Sequence, residues 1–401
     1  MEFGFTEEQE KLRKEVHDFY VNGLPEDFVP GVHAVSEKLQ SFELELQRKT
    51  GERGWLTAAW PKEYGGLGLT PLETAVISEQ EGYWGIHTPA YHTLGLLGPS
   101  ILLYGTEAQK KRYLSIIAQG EAVCMELLTE PEAGTDQANI QLRAVEDGDD
   151  YILNGQKMFI GEAYKADYLF TLTRTLDIIP KHRGLTLFIV HADTLGITYR
   201  PLPVMGDYYK NEAFFDDVRV PKENLLGEMN RGFYINLGVR AQRASGLTGQ
   251  PGHIRRTLEE FVELCKEEKR NGKPLIEDKE IRKALAQIAT EAEMMRLTGW
   301  YRSWRYSQKE KSDRPVADLS GFLYRTLSVK HAKTMMDILG SYGQLRQCSK
   351  WAKLTGRIER QWRATRSMHG GGTPERLKMT IAERGLGLPT NRRRPTTAKN
   401  E

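Results

Sequence analysis

The feature that most restricts this chain is a double change of period along its length. From Thr6 to about Gly120, apolar side chains recur three and four apart, and the segments Glu7–Val21, Val35–Arg53, Pro71–Gly82, Pro89–Tyr104 and Glu107–Ala118 are expected to be helices with one buried face. Thr6 and Thr106 stand where a hydroxyl can cap the first free amides of a helix. From Ala122 to about Asn230 the texture is short runs of β-branched and aromatic residues, such as Tyr151-Ile152-Leu153 and Leu185 to Val190. These are parted by turn pairs such as Asn154-Gly155 and Arg183-Gly184, a pattern that predicts an antiparallel β unit. After Gly232 helical spacing returns in longer segments, roughly Phe233–Asn271, Asp278–Lys311, Ala317–Leu339, Lys350–Arg363 and Pro374–Glu383. Long helices joined by short turns predict an antiparallel bundle. The expected architecture is mainly α with a central β domain: helical 1–121, β 122–231, a helical bundle 232–389, and a flexible basic tail 390–401 carrying Arg392, Arg393 and Arg394.

Composition removes several functional classes. Lys and Arg number 56 against 54 Asp and Glu, so no long-range field gathers nucleic acid or an anionic membrane. No stretch approaches the roughly 20 apolar residues of a bilayer span, and Met1 to Tyr20 lacks a signal-peptide apolar core. Cys124, Cys265 and Cys348 have no paired spacing, which fits a reducing, cytoplasmic setting rather than a disulfide framework or a zinc cluster. The histidines form no metal-binding pair, and Gly370-Gly371-Gly372 follows a helix rather than a strand, so neither metal catalysis nor nicotinamide chemistry is expected.

Two stretches carry chemistry. Leu128-Thr129-Glu130-Pro131-Glu132-Ala133-Gly134-Thr135-Asp136 offers hydroxyls and free backbone amides on a tight turn. Tyr151 to Ile160 ends on an aromatic residue, Phe159. With the glycine-rich Trp60 to Gly68, the closing run Ala213 to Gly227, and Asp337-Ile338-Leu339-Gly340-Ser341-Tyr342-Gly343, these words resemble the acyl-CoA dehydrogenase family from about Phe5 to Pro389. Within it they look most like the actinobacterial-type enzymes for bulky, sterol-derived acyl-CoAs.

The resemblance implies the acyl-CoA dehydrogenase fold, FAD as cofactor, an acyl-CoA thioester as substrate and electron-transfer flavoprotein as electron acceptor. It also implies a homodimer, a homotetramer, or a heterotetramer with a second dehydrogenase subunit. It would place Leu128, Thr129, Gly134 and Thr135 at the flavin and pantetheine, Phe159 against the isoalloxazine, and Asp337, Gly340, Ser341 and Thr373 among the remaining flavin contacts. After Phe159 the family has a flavin-bonding hydroxyl, whereas this chain has Gly161 and then Glu162. In the turn Glu268 to Lys273, Arg270 is displaced and Asn271 replaces an aromatic residue that the family sends to a neighbouring flavin.

The family takes its proton-abstracting glutamate from one of two places, which correspond here to Gly371 in Gly371-Gly372-Thr373 and to Gln242 in Gln242-Arg243. Neither residue carries a carboxylate, and a neutral amide cannot act as a general base near pH 7. Three readings follow. Glu126 or Glu162, on segments that flank the flavin, takes over as base. Alternatively, the chain is a flavin-fold lyase resembling the sulfinate-releasing relatives, with Arg240, Arg243 or His369 assisting the leaving group. In the third, it is the base-less structural subunit of a heteromeric dehydrogenase. Tyr91 and His92 would border the acyl tail, with Gly95 and Gly98 leaving room for a large ring system.

Overall fold

The computed structural model describes residues 4–25, 28, 37–86, 93–161, 166–205, 208–242, 250–308, 314–365 and 372–389. The first unit is helical: α1 (Glu7–Gly23), α2 (Glu37–Glu52), α3 (Pro71–Trp84), α4 (Gly98–Tyr104) and α5 (Glu107–Ala118). Its starts are fixed locally. Thr6, Thr70 and Thr106 each accept the amide three residues on, while Gln9, Glu73 and Gln109 reach back to the cap amide. These reciprocal bonds satisfy two of the donors that every helix start leaves free.

The second unit is one sheet of seven strands: β1 (Cys124–Leu127), β2 (Arg143–Asp147), β3 (Asp150–Ile160), β4 (Tyr168–Arg174), β5 (Leu185–His191), β6 (Ile197–Val204) and β7 (Tyr208–Pro221). The long ladders β2–β3, β3–β7, β6–β7 and β4–β5 are antiparallel. β1, however, joins β4 in parallel, and β2 touches β4 in parallel at Arg143 and Arg174. This parallel edge carries the strand that delivers the Leu128 loop.

The third unit holds α6 (Gly232–Gln242), α7 (Gln250–Glu267), α8 (Lys279–Ser307), α9 (Arg314–Leu339), α10 (Arg357–Ala364) and α11 (Pro374–Thr380), with a two-residue ladder, β8 (Lys269–Arg270) and β9 (Lys273–Pro274), after α7. The helix expected over Lys350–Arg363 begins only at Arg357, because Leu354, Thr355 and Gly356 all have positive φ and reverse the chain's hand just before it.

One core spans the first two units and the start of the third: Ile101 of α4, Leu114 of α5, Cys124 of β1, Phe170 of β4, Leu187 of β5 and Ile235 of α6 lie in one buried cluster. A second cluster on the other face of β1 takes Met125 and Leu127 together with Leu153, Phe188 and Val218. The bundle has its own, around Phe261, Leu285, Met335 and Ile358. Helical and bundle units are also clamped directly. Glu79 of α3 accepts from Trp300 Nε1 at 2.9 Å and from Arg296 Nη1 at 3.3 Å, both on α8. Beside this contact Gly252 lies so close that a Cβ there would sit 2.4 Å from the Tyr83 amide nitrogen.

Gly98, expected to open space for an acyl ring, is spoken for. A Cβ at that position would lie 2.4 Å from the Trp60 indole, so the missing side chain accommodates a core tryptophan. Tyr91 and His92 lie outside the described residues.

Candidate functional site

The loop after β1 is held by a buried ion pair that neither the loop's composition nor its turn residues announce. Lys157, 0% exposed in mid-β3, donates from Nζ to Glu130 Oε1 at 2.8 Å, to the Leu172 carbonyl at 2.6 Å and to the Leu128 carbonyl at 3.4 Å. Glu130 in turn accepts the amides of Gln141 at 2.6 Å and Leu142 at 2.9 Å. All three donors of the ammonium and both oxygens of the carboxylate are therefore engaged, the condition under which a charge pair survives burial. Burial pulls the Lys157 ammonium down to about 8, with Glu130 working to hold it up. The ammonium ties β1's loop to β3 and β4 at once.

One residue further along β3, the Met158 amide donates to the Thr129 carbonyl at 2.9 Å, which fixes the loop's height against the strand. Glu130 and Ala133 exchange backbone bonds of 3.1 Å, so Pro131 and Glu132 form a tight outward tip, and Gly134 and Thr135 follow at the surface. Among the described residues no protein group bonds the hydroxyls of Thr129 or Thr135, and space around Gly134 is open. At Phe159 the strand bulges, with φ at +56° and the ring 53% exposed. A phenylalanine in the left-handed region is strained by about 1–3 kcal/mol, and such strain concentrates at functional sites. Past it, the Gly161 carbonyl accepts from Asn211 Nδ2 at 2.8 Å, closing the strand end.

Two further contacts join this rim to its surroundings. Asn236 of α6, fully buried, donates from Nδ2 to Gln137 Oε1 at 3.0 Å, linking the loop to the helix that ends at Gln242. Arg174, at the end of β4, donates to four carbonyls: Ala138 and Ile140 on one side, Leu176 and Lys181 on the other. Glu126 is half-buried on β1 and, by strand alternation, shares its face with Cys124 and Leu128, the face packed toward Ile235 of α6.

Leu128, Thr129, Gly134, Thr135, Phe159 and Gly161 are thus brought into one rim, with Glu126 on the strand beneath it. Asp337, Gly340 and Ser341 form a separate group at the end of α9. There the Asp337 carboxylate is neutralised by Lys333 at 2.6 Å, and Gly340 has φ +59° with open space around it. Arg270 turns back onto the same place, donating to the Ile338 carbonyl at 2.5 Å. Thr373 caps α11, its hydroxyl accepting from the Arg376 amide at 3.3 Å. The backbone of Gln242 ends α6, and its side chain lies outside the described residues, as do Arg243, Glu162 and Gly371.

Sequence reasoning missed Glu130, Lys157, Arg174 and Asn236 as the parts that hold the rim. Lys157 had a signal. It falls in phase with the buried Tyr151 and Leu153 on β3, so a lysine there points inward and requires a partner.

Comparison with known proteins matches three consecutive family segments: "Acyl-CoA dehydrogenase, N-terminal domain" at residues 6–121, "middle domain" at 125–218 and "C-terminal domain" at 230–386. The chain is 31% identical over 398 residues to acyl-CoA dehydrogenase FadE26 of Mycobacterium tuberculosis, covering 97% of this chain and 99% of that one. Among solved structures it superposes with a TM-score of 0.86 at 31% identity on a chain of the ChsE4-ChsE5 complex from Mycobacterium tuberculosis, over 97% of this chain and 100% of the other. It also superposes with a TM-score of 0.87 at 31% identity on the Tcur3481-Tcur3483 steroid ACAD, again over 97% and 100% of the two chains. Matched in order through all three segments, and along nearly its whole length by an acyl-CoA dehydrogenase and by a steroid ACAD, this chain belongs to the acyl-CoA dehydrogenase family of oxidoreductases.

Proposed function

We propose that the chain holds FAD along the rim of Leu128, Thr129, Gly134, Thr135, Phe159 and Gly161, beside an acyl-CoA thioester approached from the end of α6. The α,β-dehydrogenation then uses a base other than the family's usual glutamate. The observation that carries this reading is the rim itself: two hydroxyls without partners among the described residues, an open glycine, and an aromatic ring held outward in a strained backbone one residue after the bond to Thr129. That donor set fits a flavin edge, with Phe159 shielding the ring face from water.

Bound there, the flavin supplies a two-electron acceptor, with electron-transfer flavoprotein as the downstream partner. The chain's own residues must then position the thioester and dispose of the α-proton. Gln242 holds a carbonyl or amide but takes no proton. Glu126 lies on β1 two residues before Leu128 and, unlike Glu130, is not tied to Lys157; it faces the layer that contains α6, which supports it as acceptor, and Glu162 is the second candidate. Asp337, Gly340, Ser341 and Thr373 would contact the rest of the cofactor. The division at 121, 231 and 389 and a cytoplasmic setting belong to the same proposal.

A second reading is favoured by two of the similar structures, whose descriptions pair two different polypeptides, ChsE4 with ChsE5 and Tcur3481 with Tcur3483. In it the chain is one subunit of a heterotetramer, and a partner contributes the base.

The test is to purify the chain alone, record its flavin spectrum and add acyl-CoA without oxygen. Bleaching that Glu126→Gln reduces by about 10²–10⁴ in rate supports the relocated base. Bleaching only after a second dehydrogenase polypeptide is added supports the subunit reading. A folded, colourless chain that takes up no flavin sinks both.

A further inference from the structure

Where α3, α7 and α10 meet, two guanidiniums share a single carboxylate. Arg256 of α7 donates from Nε to Glu260 Oε1 at 3.0 Å, and Arg357, the first residue of α10, donates from Nη2 to Glu260 Oε2. The neighbouring acid on α7, Glu259, is taken by Arg255 at 2.9 Å and by the Tyr83 hydroxyl at 2.7 Å, and Glu359 of α10 is taken by Arg363 at 2.5 Å. Among the described residues, the Arg256 and Arg357 pair therefore keeps one positive charge that no carboxylate balances. Burial, and then the Arg256 charge beside it, pull the Arg357 guanidinium down to about 10.

Three buried donors at this corner have no partner among the described residues: Arg256 Nη1, Arg357 Nε and Trp84 Nε1. Arg357 is 6% exposed. The donors lie together, because the Arg256 guanidinium carbon sits 4.3 Å from the centre of the Trp84 ring and both arginines grip one carboxylate. A buried N–H without an acceptor keeps its whole desolvation cost, and beside an unbalanced positive charge the acceptor that relieves it is negative. The backbone that delivers Arg357 is a separate observation. Leu354 and Thr355, in the turn directly before α10, have φ of +46° and +51°, a region in which a β-branched residue is strained. Such strain gathers where a structure clamps a ligand.

We propose that this corner binds one small monovalent anion, with chloride as the fitting size, held by Arg256 Nη1, Arg357 Nε and Trp84 Nε1. One negative charge matches the excess, whereas a sulfate or phosphate dianion would overshoot it and is too large for donors sealed from solvent. Glu260, whose side chain is 33% exposed, marks the way in. The ion joins the helical unit to the bundle, since Trp84 ends α3 and the two arginines stand on α7 and α10. It is separate from the group at Asp337, Gly340 and Ser341, where Gly340 opens onto free space.

Thermal unfolding of the full chain tests this, at fixed ionic strength and with sodium gluconate replaced stepwise by sodium chloride. A saturable rise in melting temperature is expected, about 3 °C at roughly a hundredfold excess over Kd. Arg256→Met and Arg357→Met each leave Glu260 with one guanidinium and no excess charge, so either should abolish the rise. Trp84→Phe keeps a ring and removes only the N–H, and the chloride half-point should move up by about two- to tenfold. Crystals grown with bromide should show anomalous density within hydrogen-bond distance of Arg256 and Arg357. The proposal is overturned if the parent chain melts alike in chloride and gluconate, or if the rise persists in both arginine variants. Where those variants do not fold, the bromide crystals decide, and a lack of anomalous density beside the two guanidiniums overturns it.

Discussion

Lys157 shows how one side chain can decide the placement of several functional ones. Its three acceptors come from the Leu128 carbonyl, the Glu130 carboxylate and the Leu172 carbonyl, so removing the ammonium releases the loop and leaves a buried carboxylate without its counter-ion. Lys157→Met is expected to cost about 3–5 kcal/mol in denaturant unfolding, and adding Glu130→Gln should recover part of that by discharging the orphaned acid. Phe159 behaves oppositely. At φ +56° glycine is relaxed where phenylalanine is strained, so Phe159→Gly should hold or raise the melting temperature of the flavin-free chain. Flavin retention should fall in the same variant, as followed by dialysis and absorbance. The rim's chemical words were readable in sequence because turn residues and hydroxyls act locally. The ion pair beneath them was not, because Glu130 and Lys157 are 27 residues apart and meet only once β1 and β3 share a sheet.

At the scale of elements, the capped helices were the most legible parts. Thr6 with Gln9 and Thr106 with Gln109 close their bonds within a single turn, so the expected starts at Glu7 and Glu107 are found in the structure. The parallel edge β1–β4 was illegible, since the register of strands 44 residues apart depends on what packs on both faces rather than on either strand. The late start of α10 was missed for a related reason: Leu354 and Thr355 do not favour positive φ and are held there by their surroundings. Packing of α1 on α3 carries a pH signature. Burial raises the Glu81 carboxyl from its ordinary 4.5 to about 7, while the Tyr20 hydroxyl, 3.4 Å away, pulls it down. The folded chain thus keeps a proton that the unfolded chain releases over this range. The contribution to stability is complete below about 4.5 and is lost as pH rises through about 7. Unfolding free energies measured across that window should fall with rising pH, and Glu81→Gln should flatten the slope.

For the molecule as a whole, the α–β–α order follows from the period changes near residues 122 and 232, but the contacts joining the units do not. Glu79 is one helix position among many in the sequence, yet it accepts from both Arg296 and Trp300 across the boundary. Glu79→Ala leaves a part-buried guanidinium and an indole N–H without that acceptor, and about 2–4 kcal/mol of stability should be lost. If the clamp joins the units, limited proteolysis of this variant should release the bundle from the helical unit sooner than in the parent chain. The identity of the proton acceptor lies beyond sequence for a different reason. Carboxylates such as Glu126 and Glu162 are common in any chain, and only their aim toward a bound thioester distinguishes a base from a solvated side chain.

Arg174 carries an implication for how such a protein can diversify. One guanidinium grips main-chain oxygens on two loops that leave the sheet side by side, and none of its contacts depends on which side chains those loops display. Substitutions on either loop can therefore change its surface chemistry while its main chain stays in place. Replacing Arg174 itself would free both loops together, whatever side chains they carry.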